Sequence, residues 1–106
     1  MPSTSRLSDA ANFAALLGVD ARLAVLESLS AVPFATNGEL SAATGLAAYK
    51  VTAALAALED AGVVTANAPR EVRVGRRVNY SVDREVLRAR VQRLQYTLTQ
   101  LVDGLG

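Results

Sequence analysis

Four arginines fall within eight residues, Arg70, Arg73, Arg76 and Arg77, with Glu71 as the one carboxylate among them. A guanidinium is a planar fork of donors that matches phosphate, and it is slim enough to enter a narrow minor groove. The same charges can also guard an edge strand against pairing with another chain. Four arginines in so short a span exceed what edge protection requires. A second group of polar side chains lies about twenty residues upstream. There Lys50 can reach guanine acceptors or phosphate, Thr52 can meet a base edge or a thymine methyl, and Tyr49 can donate to phosphate.

Other chemistries lack their residues. The chain has no His and no Cys, which removes the commonest general base and the strongest nucleophile. Its ten carboxylates are scattered, with no arrangement resembling a hydrolytic cleft, and no glycine-rich phosphate loop is present. The usual ligands of zinc and other transition metals are missing too. No catalytic residue, cofactor or metal site is therefore expected, and titration with zinc, nickel or copper should show only weak carboxylate association.

The elements that must carry these residues form one domain spanning 1–106. The apolar fraction of 51% is inflated by twenty Ala, all but one before Pro69. Alanine favours helix and buries little surface, so a thin core is expected. No apolar run approaches the ~20 residues of a membrane span, and Met1 to Arg6 lacks the apolar stretch of a secretory signal. A soluble cytoplasmic protein is the default, with residues 1–7 expected to be disordered. The net charge of +1 conceals a division. Residues 1–68 hold three cations against six carboxylates, a net of −3, whereas residues 69–106 hold eight Arg against four carboxylates, a net of +4. Positive charge gathered in the second half is compatible with a nucleic-acid footprint, and equally with a solvated surface.

The spacing predicts five helices and a small hairpin, a mainly α fold of α+β type. A first helix starts at Ser8 or Asp9 and ends at Leu17 before Gly18. Asp20 is expected to cap a second, which carries Leu23, Leu26 and Leu29 and stops before Pro33. Thr36-Asn37-Gly38-Glu39 reads as a capping box opening a short third helix that ends at Gly45. A fourth runs from about Ala48 to Ala61, capped poorly by Ala47, with Val51, Leu55 and Leu58 on one face. The chain then turns to β. If Val72 and Val74 share a face with Val78, Tyr80 and Val82, then Val74 pairs with Val78 around a Gly75-Arg76-Arg77 turn. Alternatively, the turn lies at Asn67-Ala68-Pro69 and Val63 to Thr65 pairs with the later strand. Asp83 caps a long last helix ending near Gly104.

In this order the pieces resemble the ArsR-type winged-helix repressors from about Leu16 to Leu105. They are Leu17 to Leu26, Gly38 to Leu46, Val51 to Val64, and Gly75-Arg76-Arg77-Val78-Asn79-Tyr80. Related winged-helix families share the middle pieces, so the signal lies in their order and spacing. The resemblance implies a winged helix-turn-helix that binds double-stranded DNA as a homodimeric repressor, with room for an unspecified small-molecule effector. It places the recognition helix at 47–61 and puts Ala48, Tyr49, Lys50, Thr52 and Ala53 towards the bases. Ala53 and Ala54 stand where the family often has a polar residue, which leaves more of the affinity to the wing. Metal-sensing members place thiolates or imidazoles in the third helix or at the chain ends, and this chain has none.

In the last helix, within 83–105, Leu87, Val91, Leu94, Leu98, Leu101 and Leu105 recur at 4-3-4-3-4 spacing, an a/d seam. The seam either packs on the chain's own core or finds a partner helix, and dimerisation in the resembled family favours the second. Leu7 and Phe13 of the first helix region are expected to join that interface. The reading is a DNA-binding regulator that represses by occupying a palindromic operator. Its alternative is a winged-helix protein-interaction module without specific DNA binding, motivated by the Ala-rich fourth helix.

Overall fold

The computed structural model describes residues 8–104. The elements in order are α1 (Asp9–Leu17), α2 (Asp20–Ser30), α3 (Asn37–Thr44), α4 (Ala48–Asp60), β1 (Val64–Ala66), β2 (Tyr80–Val82) and α5 (Arg84–Asp103). A 3-10 turn at Arg70–Val72 lies between the strands. Helix starts follow side-chain chemistry. Ser8 Oγ accepts from the Ala11 N–H at 3.1 Å, and Asp83 accepts from the Val86 N–H at 3.2 Å. The capping box at α3 is complete. The Glu39 N–H donates to Thr36 Oγ1 at 3.2 Å, and the Thr36 N–H donates to Glu39 Oε1 at 2.8 Å. Thr36→Ala should cost about 1 kcal/mol, read as a lower midpoint in urea. Asp20, expected as a cap, is instead the first residue of α2. Val19 takes the cap position without a side-chain bond. One place inside the helix, the Asp20 carboxylate still meets the positive end of the helix dipole.

The strand pairing is the second of the two arrangements. Val64 faces Val82, Thr65 faces Ser81 and Ala66 faces Tyr80, antiparallel. Ala35 adds a bridge on the far side of β2, exchanging both backbone hydrogen bonds with Tyr80 at 2.8 and 2.9 Å. The connection is longer than a turn at 67–69, because it occupies 67–79. Within it the Arg76 N–H reaches the Arg73 carbonyl at 3.0 Å, and Gly75 sits at φ 74°. That is the third place of a type II turn, which needs a positive φ. Val72 and Val74 therefore lie outside any strand, and Val74 is 96% exposed. The apolar alternation there has no core to face, whereas Val63 and Val64 are fully buried beside α4. Burial chose the register.

The core joins Phe13 of α1, Val25, Leu26 and Leu29 of α2, Leu40 of α3, and Val51, Leu55 and Leu58 of α4, closed by Val63 and Val64. Of the twenty alanines only Ala10, Ala35 and Ala54 are buried. Most of the others lie within helices outside the core, so the core is small but made of large side chains. α2 packs across α4, and α5 lies along α1. No single described helix is long and apolar enough to cross a membrane. α3 and α4 reach that length only together, across a 112° bend.

Candidate nucleic-acid interface

That bend makes the helix-turn-helix. Gly45, at φ 77°, ends α3 in the left-handed conformation and redirects the chain into α4. Two helices at such an angle, joined by so short a turn, leave the start of the second projecting from the domain. The faces of α4 divide cleanly. Val51, Ala54, Leu55 and Leu58 are buried, while Ala48, Tyr49, Lys50, Thr52 and Ala53 are all exposed on one outer surface. The hydroxyl of Thr52 is already committed. It donates to the Ala48 carbonyl at 3.0 Å and accepts from Asn37 Nδ2 at 2.8 Å. Asn37 was read from the sequence only as part of the capping box. Here it ties the first turn of α3 to the exposed face of α4, across fifteen residues of sequence that no periodicity connects.

The four wing arginines separate into two pairs. Arg73 is held on every side. Its Nη1 and Nη2 donate to Glu59 Oε1 and Oε2 at 3.1 and 2.7 Å, and its Nε donates to the Ala68 carbonyl at 2.9 Å. The guanidinium also lies over the Tyr80 ring, 5.7 Å from its centroid, and only 19% of the side chain is exposed. Arg70 donates to Asp60 Oδ1 at 2.7 Å and stands 3.6 Å from Glu59 Oε1 on a more open surface. Both carboxylates belong to the last turn of α4. Arg76 and Arg77 differ. They line an open cavity of about 390 Å³ together with Thr36, Asn37 and Gly38 at the start of α3, with the clamped Arg73 also on its wall. The one carboxylate near Arg77 is Glu39, at a loose 3.8 Å, and the arginine is 74% exposed. The N-terminal turn of a helix attracts anions, so two guanidiniums and a helix start converge on one concave surface.

Protonation follows these contacts. The hydrogen bond from Arg73 holds the Glu59 carboxyl below the usual glutamate range, and the same bond raises Arg73. Glu39 is lowered first by the Thr36 N–H, then by its hydroxyl, with Arg77 adding less. A carboxyl whose folded value is depressed contributes stability above its unfolded value and loses it as pH falls through the folded one. The Glu59–Arg73 pair should thus stabilise at neutral pH and fade only in acid, below the ordinary glutamate range. Melting of Glu59→Gln beside the native chain between pH 7 and pH 3 should show a gap that closes as pH falls.

The residues expected at a dimer interface are dispersed. Phe13 is a correction: it is 0% exposed, sealed in the chain's own core with the Arg90 guanidinium 5.2 Å from its ring centroid. Leu87 and Leu94 also lean on that core. Val91, Leu98 and Leu101 remain exposed, continued by Val102. Leu7 and Leu105 lie outside the described residues. Arg90 and Arg93, which the sequence did not single out, join α5 to Asp9 of α1 at 3.5 and 3.6 Å. A 4-3 spacing marks one apolar stripe but cannot say how far along it the home domain extends.

Comparison with known proteins agrees with this geometry. Residues 20–65 match the family model of winged helix-turn-helix DNA-binding domains. A structure of an ArsR-like transcriptional regulator from Rhodococcus sp. RHA1 superposes with a TM-score of 0.67 at 20% identity, over 90% of this chain and 84% of that one. A predicted DNA-binding transcriptional regulator from E. coli gives 0.62 at 28% identity, over 83% and 87%. A homodimeric winged helix-turn-helix domain from Mycobacterium bovis, fragment 1–100 of a possible ArsR-family regulator, gives 0.62 at 24%, over 94% and 92%. No curated protein matches. The fold is that of a winged helix-turn-helix, and residues 20–65 within it are similar to the DNA-binding members of that class.

Proposed function

We propose that this protein is a homodimeric, cytoplasmic transcriptional repressor that occupies a palindromic operator. One observation carries the reading. The wing cations that α4 does not hold, Arg76 and Arg77, open beside the start of α3, whose Asn37 is bonded to the outward face of α4. A helix for a major groove and a cationic loop for the flanking backbone therefore stand in fixed relation. Lys50 and Tyr49 supply polar contacts from α4, and the methyl of Thr52 is the group left for thymine. Arg76, Arg77 and the first turn of α3 take phosphate. Two copies joined through Val91, Leu98 and Leu101 present two such surfaces, which suits a two-fold operator.

The Ala-rich outer face of α4 favours a second reading. Ala48 and Ala53 offer no hydrogen bond to a base, as expected of a winged helix that binds protein instead. A gel shift on the DNA upstream of the protein's own gene, with unrelated duplex as competitor, separates the two. The repressor reading expects a retarded complex that survives excess competitor, and Lys50→Ala should narrow the preference by ~1–3 kcal/mol. Equal affinity for both duplexes removes specific repression.

A further inference from the structure

The sequence treats the four wing arginines alike, and the structure does not. Arg73 spends three of its five N–H donors on Glu59 and on the Ala68 carbonyl, and it lies over Tyr80 of β2. These partners belong to three places: the last turn of α4, the entry to the wing loop, and the strand at its exit. The loop's other ties are polar too: Arg70 on Asp60, Asn67 with Asn79 at its base, and Arg77 loosely on Glu39. Val74 is almost fully exposed and Val72 nearly half so, and no side chain of 67–79 joins the core. A thirteen-residue connection without apolar anchors is mobile unless something polar ties it down. A bidentate guanidinium–carboxylate pair at 2.7 and 3.1 Å with restricted solvent access is the strongest such tie in the loop.

We propose that Glu59 and Arg73 form a clamp that sets the wing relative to α4. Arg73 acts on DNA as a positioning residue and touches no phosphate, which leaves backbone contact to Arg76 and Arg77. This rests on the DNA-binding reading above. With three of its five donors held by Glu59 and Ala68, Arg73 can turn its guanidinium fully to a phosphate only in competition with those bonds. Arg76 follows it directly through the turn closed by the Arg76 N–H on the Arg73 carbonyl. Fixing Arg73 therefore fixes where Arg76 and Arg77 are delivered. Arg70 supports the clamp from outside, on Asp60 and Glu59.

Charge reversal tests the idea in the full chain. Glu59→Arg and Arg73→Glu should each weaken binding to the upstream DNA about tenfold, since a loosened loop must be ordered on binding. The double variant Glu59→Arg/Arg73→Glu rebuilds the pair with its ends exchanged. It should regain native affinity to within about twofold, with a native slope of log K against log salt. A double variant as weak as Arg73→Glu, with its slope reduced by ~0.9 for each subunit, would show Arg73 on phosphate and overturn the proposal. Amide hydrogen exchange without DNA reads the clamp separately. The Val72 and Arg76 amides, bonded to the Pro69 and Arg73 carbonyls, should exchange faster in each single variant and recover in the double. Unchanged exchange in Glu59→Arg also overturns the clamp. A native chain that binds no DNA at any salt instead removes the functional reading, and exchange then decides the clamp alone.

Discussion

Replacing Leu98 and Leu101 together by Glu will give a folded monomer that binds DNA at least about a hundredfold more weakly. Both side chains are exposed on the single chain, at 50% and 71%, so the protomer has no reason to unfold. In a dimer they meet a partner seam, where a buried carboxylate without a counter-charge costs several kcal/mol. Losing the second copy removes the second half-site contact and its effective-concentration gain of about 10²-fold or more. Light scattering should move from dimer to monomer while the helical circular dichroism stays unchanged. Leu94→Glu would not serve, because Leu94 packs on its own core and its loss confounds folding with assembly. A native chain that is monomeric at micromolar concentration contradicts the dimer outright.

The second large effect is on stability. Leu58→Ala should cost about 2–5 kcal/mol, a large part of the ~5–15 kcal/mol that holds a domain together. Leu58 is fully buried, and the Val63 N–H closes the end of α4 on its carbonyl at 3.1 Å. With only three buried alanines among large side chains, the core has few small neighbours to collapse into the space. Urea unfolding measures the loss directly. A cost below about 1 kcal/mol would mean that α4 is not the keystone of the packing.

How much of this was legible in the sequence depends on the range of the interaction. Helix ends follow from neighbours three or four residues apart, so Ser8, the Thr36–Glu39 box, Gly45 and Asp83 declare their structure in one dimension. The inner face of α4 is equally plain from Val51, Leu55 and Leu58. The wing is not, because two registers satisfy the same alternation of valines. What decides between them is burial of Val63 and Val64, which depends on α4 and not on the hairpin. The site divides in the same way. Exposure of Tyr49 and Lys50 follows from helical phase. The engagement of Arg73 with Glu59, and of Thr52 with Asn37, spans fourteen and fifteen residues through a folded turn. Charge type pointed to phosphate for all four arginines, but carboxylates at the end of α4 reach two of them. Phe13 failed as an interface residue because an apolar position on an amphipathic helix looks the same whether its own core or a partner covers it.

Phosphate contact by Arg76 and Arg77, the wing cations that α4 does not hold, is the core of the proposed grip on DNA. Its most direct test is the salt dependence of binding to the upstream duplex by fluorescence anisotropy, native against Arg76→Ala/Arg77→Ala. Each phosphate contact carries a slope of ~0.9, so two contacts in each of two subunits should lower the slope by ~3.6 and weaken binding most at low salt. Identical affinity and slope for the two proteins would exclude that contact, and the protein-interaction reading would then take the place of DNA binding by the wing.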